Sequence, residues 1–329
     1  MKLATLANGR PDGRLAIVSR DLRFATYADG IADTLHQALD DWDEAAPALQ
    51  ARAAALEMGG ECIPFDPAVA LAPLPRAWQW LDGSAFPAHG ALMQKAFKMP
   101  PIESTAPLMY QGMSHHFLPG QADVPLPDAA DGIDFEGEFG VITGAVPMGT
   151  PATAAARHIR LLVLINDWSL RRIAPIEMKT GFGWIQAKPA SSVAPLAITP
   201  DELGLAWSGC RVHTVLAVDR AGARFGRAHG GAMEFGFDDL IAHAAATRDL
   251  CPGTLIGSGM VSNENYRDVG SSCISERRAI ELVDHGAPET PFMQFGETVR
   301  MEALDDAGRS LFGIIQQRVV RNPPATAPS

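Results

Sequence analysis

Cysteine is scarce in this 329-residue chain. Cys62, Cys210, Cys251 and Cys273 stand far apart with no Cys-x-x-Cys pair, which argues against a disulfide framework or a zinc site and for reduced thiols in a cytoplasmic protein. Apolar runs of transmembrane length are missing, and the opening Met-Lys-Leu-Ala-Thr-Leu-Ala is too short for a signal-peptide core. Positive charge is in deficit, 27 Lys and Arg against 38 Asp and Glu, and the net charge of -11 disfavours partnership with nucleic acid or a membrane surface. What the length does allow is one large core accompanied by a smaller module.

The stretch around which the chain is organised is Ile133-Asp134-Phe135-Glu136-Gly137-Glu138-Phe139-Gly140-Val141-Ile142. Phe135, Phe139 and Val141 alternate at period two, the pattern of a strand with one apolar face, so Asp134, Glu136 and Glu138 are expected on the other. Two carboxylates ~7 Å apart repel by roughly 2 to 3 kcal/mol at an effective dielectric near 20. That face is therefore solvated, or one glutamate is protonated, or a cation lies between them. A second carboxylate favours the cation. Arg160-Leu-Leu-Val-Leu-Ile165 reads as a strand buried on both faces and runs into Asn166-Asp167-Trp168-Ser169. Glu136, Glu138 and Asp167 then supply hard oxygen ligands of the kind Mg²⁺, Ca²⁺ or Mn²⁺ takes.

Around this centre the pattern predicts a small N-terminal module over residues 1–85, made of two short strands and a helical stretch from Ile31 to Met58 broken near Pro47. Prolines at 64, 67, 73, 75, 87, 100, 101 and 107 mark an extended connection reaching to about residue 106. The main domain is expected over 107–321. It includes a hairpin across Ala221-Gly222, a glycine-bearing strand from Thr254 to Asn263, a polar loop from Glu264 to Glu276 and a final hairpin, with a disordered tail over 322–329. His115 and His116 are adjacent, so on a strand no more than one faces a common site.

The combination of Asp134-Phe135-Glu136-Gly137-Glu138, Asn166-Asp167-Trp168-Ser169 with Arg171, Lys188, and Gly257-Ser258-Gly259-Met260-Val261-Ser262 resembles the fumarylacetoacetate hydrolase family, over about Pro107 to Val320. The resemblance implies a mostly β (α+β) fold, a mixed β-sandwich roll with a small N-terminal β module, in a homodimer. It implies a divalent metal on Glu136, Glu138 and Asp167 that chelates a small 1,3-dicarbonyl or 2-oxo acid. Lys188 and Arg171 would stabilise enolate and carboxylate charge, and Tyr110 and His115 fall at the places of a substrate-contacting tyrosine and a base histidine. Glu276 is taken by residue type as the orienting acid, because past Met260 the loop does not align residue for residue with the family's catalytic glutamate. There are two further departures. Leu108 stands where the family has a further metal-binding aspartate, and Met260 where a threonine contacts substrate.

The implied activity is hydrolysis of a carbon–carbon bond in a fumarylacetoacetate- or acylpyruvate-like acid, of the kind met in aromatic amino acid catabolism. Such a step needs an electrophile to hold the dicarbonyl, a base for the attacking water and a place for carbanion charge. The same scaffold also suits a 2-oxo acid decarboxylase, hydratase or tautomerase, or a binding protein for metal and dicarboxylate that turns nothing over.

Overall fold

The computed structural model describes residues 1–100, 104–305 and 307–322; the remainder of the expected tail, 323–329, lies outside the described residues. Two mixed sheets organise the molecule. In the larger, the strands run in the order Ile63–Pro64, Phe24–Tyr27, Arg14–Val18, Lys2–Leu6, Ala197–Ile198, Ile159–Asn166, Gly137–Thr143, Leu255–Gly257, Trp80–Gly83 and Met109–Gly112. The smaller contains Ala223–His229, Val215–Arg220, Thr298–Ala303, Ile315–Arg321 and Val124–Leu126, so both expected hairpins form. Phe139, Val218, Met301 and Phe312 belong to one apolar core between the sheets. The strand Ile159–Asn166 is buried along nearly its whole length, as its unbroken apolar run requires.

Three expectations give way to longer-range effects. The proline-rich connection is not uniformly extended. Trp80–Gly83 pairs parallel with Leu255–Gly257 and antiparallel with Met109–Gly112, and Pro87–Phe97 is a helix that packs against Ile274–His285. Pro87 occupies the first helical turn, where an amide hydrogen has no intrahelical partner to lose. In the N-terminal module the helices are Leu35–Asp40 and Trp42–Glu57, divided at Asp41, and Pro47 sits inside the second. The segment expected as a polar loop from Glu264 carries a short helix, Tyr266–Val269, and the start of Ile274–His285, which places Glu276 on a helix.

The Asp134–Glu138 stretch is likewise not one continuous strand. Ile133–Asp134 pairs with Ser169–Leu170, whereas Gly137–Thr143 pairs with Ile159–Asn166. Both chains are interrupted at the same level, at Phe135–Glu136 and at Asp167–Trp168. Phe135 and Trp168 are fully buried there. The interruption holds together through the Asp167 amide donating to the Glu136 carbonyl at 2.9 Å and the Glu136 amide donating to Asn166 Oδ1 at 3.1 Å.

Candidate metal centre

Four buried carboxylates converge where these strands end. Asp82, Glu136, Glu138 and Asp167 each present an oxygen, and these oxygens lie within 4.8 Å of one another. The three acids predicted from sequence are joined by Asp82, which the parallel pairing of Trp80–Gly83 sets beside Gly257. A Cβ on Gly257 would stand 2.4 Å from Asp82 Oδ1 and 2.8 Å from Glu138 Oε2, so only glycine leaves room for the carboxylates. Gly259, at φ +75°, donates its amide to Asp82 Oδ1 at 3.1 Å. The fourth carboxylate sought at Leu108 therefore enters from another strand, and Leu108 itself is exposed.

Cations compensate only part of this charge. Lys188 Nζ lies 2.7 Å from Glu136 Oε2 and 2.5 Å from Asp167 Oδ2. Arg171 donates to Glu136, and through Nε to Asp134 Oδ2 at 2.8 Å. Tyr110 and Ser191 donate their hydroxyls to Asp167, the serine at 2.7 Å. Burial by itself would raise Glu136, but Arg171 and Lys188 outweigh it and hold the carboxyl at about 2. Burial also opposes the Lys188 charge, yet Asp167 and Glu136 keep the ammonium above its ordinary value.

Asp82 and Glu138 are in the opposite condition. Burial, then the charge of Asp167, pushes Asp82 up to about 8. Burial, then Asp82 and Asp167, pushes Glu138 well above the carboxylate range, and neither Glu138 oxygen has a hydrogen-bond donor among the described residues. Two unmatched carboxyls beside two matched ones fit a hard divalent cation, which would supply the missing positive charge. Asp134 is not part of the cluster. Its oxygens accept from the Ile274 and Ser275 amides at 2.7 and 2.9 Å, at the start of the Ile274–His285 helix, because the strand interruption turns Glu136 out of the alternation that would have aligned them.

A second constellation stands on segments that bond the Gly137 backbone between the two glutamates, through the Ser272 carbonyl and the Val261 amide, each at 3.0 Å. Glu276 is fully buried and accepts the hydroxyls of Ser262 and Ser271, the latter at 2.7 Å. His89, in the first turn of the Pro87–Phe97 helix, brings Nδ1 to 3.4 Å from Glu276 Oε1, close to the carboxylate but not aligned as a hydrogen bond. His115 and His116 are both exposed on an irregular turn and make no hydrogen bond among the described residues. Met260 is buried with its sulfur 3.2 Å from Cys273 Sγ, and the Cys273 backbone bridges Glu136. Asp82 and His89 escaped the sequence reading because they fall in the proline-rich stretch. The available signal was an acid ending the short apolar run Trp80-Leu81, followed by a proline-initiated helix with histidine in its first turn.

Comparisons with known proteins bear on the family and the fold. The model of the fumarylacetoacetate (FAA) hydrolase C-terminal region matches residues 79–320, and that of fumarylacetoacetase N-terminal domain 2 matches residues 1–76. Among solved structures, the chain resembles 5-carboxymethyl-2-hydroxymuconate delta-isomerase from Mycobacterium smegmatis at 19% identity and a TM-score of 0.60, covering 98% of this chain and 100% of that one. It resembles maleylpyruvate hydrolase from Sphingobium sp. SYK-6, in complex with manganese(II) and pyruvate, at 16% identity and 0.65, with coverage of 98% and 100%. It resembles 2-hydroxyhepta-2,4-diene-1,7-dioate isomerase from Mycobacterium marinum at 17% and 0.57, covering 98% of each chain. At these identities the structural likeness carries the fold alone, and a comparison with curated proteins gave no match. No helix among the described residues is long and apolar enough to cross a membrane. With family models matching nearly its whole length, and with the mixed α+β architecture they imply, the chain belongs to the fumarylacetoacetate hydrolase family.

Proposed function

We propose that this protein hydrolyses the carbon–carbon bond between the carbonyls of a small acylpyruvate-like acid, with a divalent ion, Mg²⁺, Mn²⁺ or Ca²⁺, held by Asp82, Glu136, Glu138 and Asp167. The observation that carries the reading is the juxtaposition of that half-compensated carboxylate cluster with Lys188 and Arg171, and with the His89–Glu276 pair. A bound ion supplies an electrophile for the dicarbonyl oxygens. Lys188, buried and held as the ammonium, offers charge and a hydrogen bond to the enolate that leaves as the bond breaks. Arg171 fixes Glu136, and Tyr110 and Ser191 fix Asp167, so the ligands keep their orientation without substrate.

His89 takes the role first given to His115. A neutral imidazole on a rigid helix can accept the proton of the attacking water, and Glu276, itself oriented by Ser262 and Ser271, steadies the ring and the imidazolium that forms. Met260 closes the site with an apolar surface where a hydroxyl contact was expected. The assembly is read as a cytoplasmic homodimer, from the reduced cysteines and from the family. An isomerase or decarboxylase of a 2-oxo acid is the second reading, favoured by the isomerases among the structural neighbours.

Incubation of Mn²⁺-loaded protein with acylpyruvates, with both products quantified, separates these. Pyruvate and the second acid are expected in equal amounts, and excess chelator abolishes their release. His89→Ala is expected to lower kcat by about 10²- to 10⁴-fold with Mn²⁺ affinity retained, while His115→Ala stays near the parent rate. Carbon dioxide release, or rearrangement without cleavage, would move the assignment to the second reading.

A further inference from the structure

The segment between Arg171 and Lys188 contains a latch that the reaction itself does not require. Glu177, on the helix Ala174–Thr180, accepts three backbone amides with its one carboxylate: Ile185 at 3.0 Å, Gln186 at 2.9 Å and Ala187 at 3.1 Å. The Ala187 carbonyl in turn accepts the Leu170 amide at 2.8 Å, so the residue before Lys188 is pinned from both sides. Gly181 and Gly183, at φ +73° and +99°, make the reversal, and the Phe182 amide donates to Thr180 Oγ1. Apolar burial does not hold this loop, because Phe182 is 97% exposed and Ile185 83%. Charge-assisted bonds to a single carboxylate do.

The loop delivers Trp184 to the metal centre. Its ring meets the Tyr110 ring edge-on at 4.7 Å between centroids, and Lys188 Nζ stands 5.4 Å from the Trp184 centroid and 5.2 Å from that of Tyr110. Tyr110 and Lys188 both bond Asp167, so Trp184 is one side chain away from a ligand of the cluster.

Building on the hydrolase reading, we propose that Glu177 is a positioning residue. Its latch on residues 185–187 holds Trp184 as an aromatic wall of the substrate cavity, and that wall selects acylpyruvates whose acyl group is planar and conjugated over their saturated counterparts. A conjugated acyl group stays coplanar with the enolised dicarbonyl and offers a π face to the indole, whereas a saturated chain leaves the plane.

The test compares kcat/KM of the Mn²⁺-loaded full chain for an acylpyruvate with a trans-unsaturated acyl group and for its saturated analogue. The parent is expected to favour the unsaturated acid about tenfold, the size of one aromatic contact. Trp184→Ala and Glu177→Ala should each bring that ratio to within about twofold of unity, Glu177→Gln should fall between, and the Glu177→Ala/Trp184→Ala pair should lose no more than either alone. Should Glu177→Ala fold poorly, Glu177→Gln with an unchanged thermal midpoint and Mn²⁺ affinity carries the test. A ratio that survives in the Glu177 variants but collapses in Trp184→Ala overturns the latch, and one that survives in Trp184→Ala overturns the wall. A parent that cleaves both acids equally well sinks this inference alone. A parent that cleaves neither sinks the hydrolase reading and this inference with it.

Discussion

The two halves of the acidic cluster are built on opposite plans. Glu136 and Asp167 arrive already paired, with Lys188 between them and Arg171, Tyr110 and Ser191 taking up remaining acceptor positions. Asp82 and Glu138 arrive with little more than one backbone amide between them, in a space that exists because residue 257 lacks a side chain. The paired half is a permanent structural ion network. The other half is held in readiness, destabilising when charged and relieved by protons or by a cation. Removing an acid should therefore have the same consequence for turnover in both halves and opposite consequences for the empty fold.

The largest effects are on activity, where the two halves should behave alike. Glu138→Gln and Glu136→Gln are each expected to weaken Mn²⁺ binding and lower kcat/KM by at least about 10³-fold, since either deletes a charged ligand of the electrophile. Lys188→Met should cost about 10²- to 10³-fold in kcat while leaving Mn²⁺ bound, because it removes an enolate partner and not a ligand. Mn²⁺ titration followed calorimetrically, alongside steady-state rates, distinguishes these. Full activity in Glu138→Gln would dismantle the cluster as the seat of the chemistry.

Next in size is the stability of metal-free protein, where the halves should diverge. Glu136→Gln takes one of two carboxylates from each of two buried cations, leaving Lys188 to Asp167 and Arg171 to Asp134, and is expected to destabilise by about 3 kcal/mol. Glu138→Gln replaces a carboxyl already pushed toward its protonated form by an amide of similar shape, and is expected to change stability by less than about 1 kcal/mol, or to raise it. Urea denaturation in excess chelator measures both. Equal losses in the two variants would mean that the compensation by Lys188 and Arg171 is not what separates the halves.

The same division explains what the sequence made legible. Glu136, Glu138 and Asp167 stood out because each lies on or at the end of a strongly patterned strand, and local period and apolar runs are properties of neighbouring residues. The interruption at Phe135–Glu136 was hidden in that same period, so Asp134 looked like a companion of the glutamates when it in fact caps a helix. Asp82 and His89 depend on pairings with segments far along the chain, Leu255–Gly257 and Ile274–His285, and no local pattern encodes such contacts. Proline was read as a breaker throughout its stretch, yet Pro87 starts a helix, because the cost of proline depends on its position in the turn. Glu276 was chosen by residue type, and the histidine that stands beside it came from the proline-rich connection that precedes the expected main domain.

The sharpest of these effects in sign is the pH dependence of the metal-free fold. Asp82 has an ordinary value of 3.8 and a folded one of about 8, with Glu138 displaced in the same direction. Between those limits the folded state keeps protons the unfolded chain has released, so stability must fall as pH rises, by up to about 1.4 kcal/mol per pH unit for each proton kept, and the loss from Asp82 is complete just above pH 8. Glu136, lowered to about 2, acts the other way: its contribution is present above the ordinary glutamate range and disappears only as pH falls toward 2. Within the cluster, the slope from pH 5 to 8 therefore belongs to the unpaired half. Bound Mg²⁺ should flatten it, since the ion takes the place of those protons, and should add more to the denaturation midpoint at pH 8 than at pH 5.5. A metal-free protein equally stable at both pH values, or a Mg²⁺ increment larger in acid, would show that Asp82 and Glu138 are not the uncompensated side of the centre.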